Sequence, residues 1–203
     1  MAGFKKKKNA AIPTVEQIQN EILREKYNRR YKQVLKSTVG SLIVVAAIAV
    51  LIATLVFPVL QISGSSMEPT LNDEEIVVLL KTTNLKKGDL CCFSYQNKLL
   101  IKRVIGTPGD EISIDKDGYV YVRGSTDPEP LLIDEPYIID RALGESDITY
   151  PCYVTENNYF VLGDHRSTSI DSRSSVIGLV NEDYIVGKII FRVWPFDSIG
   201  FVK

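Results

Sequence analysis

The sequence predicts a mainly β protein, with a single N-terminal transmembrane helix followed by an all-β ectodomain. Three observations carry that prediction. An uncharged run extends from Ser37 to Met67, no convincing amphipathic helix follows residue 61, and the remainder is short Val-, Ile-, Tyr- and Phe-rich runs punctuated by turn residues.

The centre of the uncharged run, Val39 to Leu60, has 18 apolar residues in 22. As a helix rising about 1.5 Å per residue it reaches roughly 33 Å, enough for a hydrocarbon core of about 30 Å. A buried core helix would be amphipathic at some angle, yet Leu42 to Val56 is apolar on every face except at Thr54. Ala47-Ile48-Ala49 resembles a secretory cleavage site. It falls inside the apolar run and behind a long head, whereas a cleaved signal has a short head and a short apolar region. The span is therefore expected to be an uncleaved anchor covering residues 37–60.

The overall formal net charge of -1 hides a division. Residues 1–36 carry ten Lys/Arg against three Glu, a net of +7, and the rest carries -8. Apolar residues are 45% and charged residues 24%, which excludes a disordered chain, and the near-neutral balance excludes a nucleic-acid binder. The positive-inside rule puts the basic head in the cytoplasm and residues from about 61 onward outside. Within the head, Thr14-x-x-Gln17 after Pro13 is a capping-box-like start for a helix through Ile18, Ile22 and Leu23. Its basic face either lies near anionic lipid head groups or forms a solvated stalk.

Residues 61–203 form the expected ectodomain. Strands are expected at Glu75–Leu80, Leu90–Tyr95, Leu99–Ile105, Tyr119–Arg123, Tyr159–Leu162 and Ile185–Val193, separated by Lys87-Gly88-Asp89, Pro108-Gly109-Asp110, Asp117-Gly118 and Gly163-Asp164. Asp115 to Gly118 reads as a hairpin turn between Glu111–Ile114 and Tyr119–Arg123. Residues 124–151, with Pro128, Pro130, Pro136 and Pro151, read as a loop-rich excursion. Cys91 and Cys92 adjoin in one strand and point to opposite faces, so at most one can pair with Cys152; buried hydrophobe is the expected role for at least two. With one histidine and no Cys-x-x-Cys, no metal or other cofactor is expected.

Three segments carry more polar detail than folding requires: Ser63 to Leu71, Lys102 to Asp110, and Gly163 to Arg173. Singly, each reads as a turn, a surface pair or a loop; together they suggest a nucleophile, a base and an orienting shell. A serine hydroxyl needs a base to take its proton. His165 qualifies in a Ser-His-Asp arrangement with Asp171 or Asp164. Lys102 also qualifies, because it shares a strand face with Leu100 and Val104, and desolvation lowers a lysine pKa toward neutrality. Spacing leaves both open.

Ser66-Met67-x-Pro69-Thr70-Leu71 just after an anchor, Lys102-Arg103-Val104-Ile105-Gly106-x-Pro108-Gly109-Asp110, and Gly163-Asp164-x-Arg166-x-x-Ser169-x-Asp171-Ser172-Arg173 resemble bacterial type I signal peptidase, a membrane-bound Ser/Lys endopeptidase. The resemblance covers about residues 40 to 195, including Gly88-Asp89 and Val186-Gly187-Lys188. It implies an ectodomain of coiled antiparallel sheets in the plasma membrane's outer face, with Ser66 as nucleophile and Lys102 as general base. It further implies that Ser169 hydrogen-bonds the lysine amine and that Asp171 and Arg173 form a structural ion pair beneath the site. Ile62, Leu71 and Ile101 are implied to line shallow apolar substrate pockets, and His165 is implied to be non-catalytic. In some members a serine two residues before the nucleophile supplies an oxyanion donor; the matching position here is Gly64, so another donor is expected.

Ser66 follows Leu60 by six residues, at most about 20 Å of extended chain. A substrate anchored by its own apolar segment and cut just beyond it would present its scissile bond at that depth. The implied partners are exported preproteins and the lipid bilayer, with cleavage after an Ala-x-Ala-like site. Two rival readings are a Ser/Lys peptidase dedicated to one secreted or pilus client, and a non-catalytic membrane-tethered peptide-binding domain.

Overall fold

The computed structural model describes residues 14–144 and 146–202. Lys5 to Lys8 and Pro13 of the head lie outside them. One helix, α1 (Val15–Val56), begins with the expected reciprocal cap: the Thr14 N–H donates to Gln17 Oε1 at 3.0 Å and the Gln17 N–H to Thr14 Oγ1 at 3.4 Å. Its second half exposes Leu42, Ile43, Val44, Val45, Ile48, Val50, Leu51 and Ile52, and it alone among the described residues is long and apolar enough to cross a membrane. The helix stops at Val56, short of Leu60. Pro58 has no N–H to continue the ladder and disfavours helical geometry at Phe57.

The body starts where the helix ends. Its strands are β1 (Val59–Gln61), β2 (Ile76–Leu80), β3 (Leu90–Tyr95), β4 (Lys98–Gly106), β5 (Glu111–Ile114), β6 (Val120–Arg123), β7 (Leu131–Leu132), β8 (Cys152–Tyr153), β9 (Asn158–Leu162), β10 (Val180–Asn181), β11 (Ile185–Trp194) and β12 (Gly200–Phe201). They form an eight-stranded sheet in the order β1-β2-β11-β3-β4-β9-β10, with β12 also on β11, and a four-stranded sheet ordered β7-β6-β5-β8. Every pairing is antiparallel. The hairpin falls where expected: Ile114 pairs with Val120, and Asp115 Oδ1 accepts from the Asp117 and Tyr119 N–H groups at 3.0 and 2.8 Å.

Strand alternation sorts the side chains into cores. Leu90 and Cys92 of β3 join Ile62, Met67, Leu71, Val77, Leu79 and Ile189 on one face; Cys91 and Phe93 join Val104, Tyr159 and Val161 on the other. A third core ties the two sheets together, with Ile105 of β4 and Phe160 and Leu162 of β9 packed against Ile112, Ile114, Val120 and Val122. All three cysteines are free: Cys91 and Cys92 are fully buried on opposite faces, and Cys152 is half-buried. Among the described residues of 124–151, β7 is the only regular structure. Residues Val59 and Leu60, placed in the apolar run by composition, are strand residues paired with Val78 and Val77.

Candidate active site

Strand β4 delivers Lys102. Its face alternates with Leu100 and Val104, as the pattern predicted, and the side chain is 3% exposed. The loop between β1 and β2 brings Ser66 onto it: Lys102 Nζ donates to Ser66 Oγ at 2.7 Å. Burial pushes the Lys102 pKa below its usual value, opposed mainly by the carboxylate of Asp171. The loop turns sharply at Gly64, whose φ of +97° suits glycine, and whose N–H is held by Asp73 Oδ1 at 2.8 Å. A hydroxyl beside a buried amine of lowered pKa is an arrangement that can serve as a nucleophile and its base.

The loop from Gly163 to Arg173 forms the other wall. Arg173 clasps Asp171 with two bonds, Nε to Oδ1 at 2.8 Å and Nη2 to Oδ2 at 2.9 Å, and donates further to the carbonyls of Arg166, Ser169 and Leu143. Asp171 Oδ2 also accepts from the Gly163 N–H at 2.9 Å. The implied ion pair is thus present and fixes the backbone on both sides of Ser169. The implied bond from Ser169 to the lysine amine is not formed: Ser169 Oγ is buried without a hydrogen-bond partner. It sits over Gly163, where an added Cβ would lie 2.2 Å from Ser169 Oγ and 2.6 Å from the Ser66 carbonyl oxygen.

The Ser-His-Asp alternative is not assembled. The His165 ring turns to the Ser65 carbonyl at 3.3 Å and to Glu68 at 3.9 Å, and only its backbone N–H reaches Ser66, at the carbonyl. Both candidate aspartates are engaged by arginines, Asp171 by Arg173 and Asp164 by Arg103.

Beside Ser66 and Lys102 runs a cleft of about 120 Å³, lined on one side by Leu60 to Gly64 and Met67 and on the other by Leu99, Leu100 and Ile101. Ile62 and Ile101 lie in this lining. Leu71 does not; it is fully buried in the first core with Ile62 and Met67, because Thr70 rather than Leu71 faces the polar layer, where Arg103 and Arg192 donate to its hydroxyl and carbonyl. β1 is an edge strand, and the first half of β4 pairs only with β3, since β9 joins β4 from Arg103 onward. Among the described residues, two strand edges that no further strand covers therefore border the cleft.

Several buried polar residues shape the site through contacts that the sequence did not foretell. Arg103 holds Asp164, the Gly88 carbonyl and Thr70 Oγ1, and its guanidinium lies 3.9 Å over the Tyr137 ring. Arg166 pairs with the buried carboxylate of Glu135, which also accepts from Tyr137 Oη at 3.0 Å. Lys188 reaches Asp89 at 2.6 Å, joining the two outlying motif fragments. Asp164 and Arg166 stood in the third motif, and their opposite charges were a usable signal; Glu135, in the proline-rich excursion, carried none. Among the described residues no cluster of His, Cys, Asp or Glu is placed to hold a metal ion.

A serine hydroxyl against a buried lysine amine, beside a cleft bordered by strand edges, fits the class of serine peptidases. A family model described as signal peptidase, peptidase S26, matches residues 35–194, and the chain belongs to that family. It is 31% identical over 190 residues to signal peptidase I of Bacillus amyloliquefaciens, covering 88% of this chain and 98% of the relative. It is 37% identical over 159 residues to signal peptidase IB of Staphylococcus aureus strain MRSA252, covering 69% and 79%. Among solved structures, signal peptidase I of Enterococcus faecalis V583 aligns with 52% of this chain and 96% of that chain, at 28% identity and a TM-score of 0.39.

Proposed function

We propose that this signal peptidase removes signal peptides from exported preproteins by acyl transfer, with Ser66 as nucleophile and neutral Lys102 as general base. The observation that carries the reading is the 2.7 Å contact between Ser66 Oγ and the buried Lys102 amine. In the neutral form the serine O–H donates to Nζ across the same distance. Ser66 Oγ attacks the scissile carbonyl as Lys102 takes its proton; the C–N bond breaks and Lys102 returns the proton to the departing amine. Water, deprotonated by Lys102, then attacks the acyl ester and Ser66 recovers its proton.

The cleft supports a preference for small side chains at alternate positions before the cut. A strand added to a free edge points every second side chain the same way, and the cleft walled by Ile62 and Ile101 is small, about 120 Å³ in all. An Ala-x-Ala-like site fits. The basic helix and acidic flank favour a cytoplasmic N-terminus and an extracytoplasmic catalytic body in the plasma membrane. Incubating the purified full-length protein with preproteins and reading the new N-termini by mass spectrometry tests the proposal. Cuts after small residues across several precursors are expected. Cleavage of one precursor alone would favour a dedicated peptidase, and cuts after large residues would overturn the pocket assignment.

A further inference from the structure

Around the site Arg103, Arg166 and Arg173 are buried, each at most 2% exposed. A guanidinium does not shed its proton, so each needs a carboxylate within reach. For Arg103 and Arg173 that carboxylate comes from the loop after β9, as Asp164 and Asp171. Arg166 is different. Its counter-ion is Glu135, 31 positions earlier in the proline-rich excursion and itself 2% exposed.

Glu135 gathers further donors. Tyr137 Oη donates to its Oε1 at 3.0 Å, and Arg141 Nη1 approaches its Oε2 at 3.5 Å. The Tyr137 ring packs on the guanidinium of Arg103, the residue after Lys102 in β4. Arg166, for its part, donates Nε to the Gly163 carbonyl at 3.1 Å, and Gly163 is the residue over which Ser169 Oγ is packed. The next link reaches the nucleophile, because the His165 N–H donates to the Ser66 carbonyl at 3.1 Å. Glu135 and Tyr137 thus touch both walls: the strand that carries Lys102, through Arg103, and the loop that holds the Ser66 backbone, through Arg166. The cleft beside Ser66 is lined by other residues, from β1, β4 and the Ser66 loop.

We infer that Glu135 is a positioning residue for the peptidase reaction: by neutralising Arg166 it fixes the wall over 163–173, and through the His165 N–H the backbone of Ser66, in the placement that aims Ser66 Oγ at Lys102. The inference rests on Ser66 and Lys102 carrying the chemistry.

The full-length Glu135→Gln variant tests it, since it keeps the shape of the side chain and removes the charge. Preprotein cleavage kinetics and hydrogen exchange by mass spectrometry are measured on folded protein well below its melting temperature. We expect kcat to fall about tenfold or more with KM within about twofold, because the wall shifts while the cleft does not. Exchange is expected to speed up in peptides over 163–173 and to stay unchanged in β11. An unchanged kcat, a loss carried by KM, or exchange that is unaltered over 163–173 or equally faster in β11 would each overturn the inference and leave Glu135 a role in stability alone. If Glu135→Gln does not fold, Tyr137→Phe, which withdraws the phenol from Glu135 and keeps the ring on Arg103, is expected to show the same pattern to a smaller degree. Retained cleavage in Lys102→Ala would instead remove the base assignment, while the exchange rates still decide whether Glu135 holds the wall.

Discussion

Arg103 and Asp164 face each other as a two-pronged ion pair, Nε to Oδ1 at 2.9 Å and Nη2 to Oδ2 at 2.6 Å, with both side chains at most 3% exposed. Arg103 follows Lys102 in β4, and Asp164 opens the loop that carries Ser169. The pair therefore fastens the wall bearing the amine to the wall facing it, while Arg103 also reaches Thr70 in the loop bearing Ser66.

Breaking such a pair strands a buried charge, which typically costs about 3–5 kcal/mol, whereas replacing both partners by apolar groups is often nearly neutral. Asp164→Asn is expected to lower the urea midpoint strongly. The double variant Arg103→Met/Asp164→Leu is expected to recover part of that loss, and equal stability of the two would contradict the account.

The nucleophile and base assignments predict that Ser66→Ala and Lys102→Ala each abolish preprotein cleavage while leaving the fold intact. His165→Asn is expected to retain most activity, since the polar partners of the ring are the Ser65 carbonyl and Glu68 rather than Ser66 Oγ. A His165→Asn variant as inactive as Ser66→Ala would return the base to histidine.

The depressed Lys102 pKa has a stability consequence with a definite sign. In the window between the lowered folded value and the ordinary 10.5, the unfolded chain binds more protons than the folded one, so stability rises with pH there. The burial cost vanishes above that window and is complete below it. Lys102→Met is expected to raise the melting temperature at neutral pH, and the gain should shrink as pH climbs toward 10.5. A gain independent of pH would show that packing, not protonation, is responsible.

Gly163→Ala puts a methyl group 2.2 Å from Ser169 Oγ and 2.6 Å from the Ser66 carbonyl oxygen. Neither the loop held by Asp171 nor the Ser66 backbone can give way without disturbing the site. Overpacking of this kind costs about 1–3 kcal/mol. A fall in kcat larger than the fall in thermal stability accounts for is expected, measured as kcat on folded protein well below its melting temperature.

Much of the fold was legible. Leu90–Tyr95 was delimited to the residue, and the hairpin around Asp115–Gly118 was located from turn chemistry. The two- and three-residue strands β1, β7, β8, β10 and β12 were not, because segments that short have no internal periodicity and exist only through their partners. Ser66 and Lys102 were singled out by the resemblance their motifs carry, since spacing alone left Lys102 and His165 both open. Glu135, from a loop with four prolines near it in sequence, was not, since nothing local announces a carboxylate that becomes buried against an arginine 31 positions away.

By itself the sequence determined what depends on local patterning: an uncharged span of sufficient length, the charge asymmetry about it, the alternation that turns Lys102 toward apolar neighbours, and the motifs of a peptidase. Only the tertiary structure shows which of the two candidate bases lies beside the Ser66 hydroxyl. Proton transfer from a hydroxyl needs an amine or imidazole within hydrogen-bond reach, and folding put Lys102 at that distance, 36 residues from Ser66, while committing both candidate aspartates to arginines. Distance and desolvation are properties of packed neighbours, and no pattern along one chain contains them.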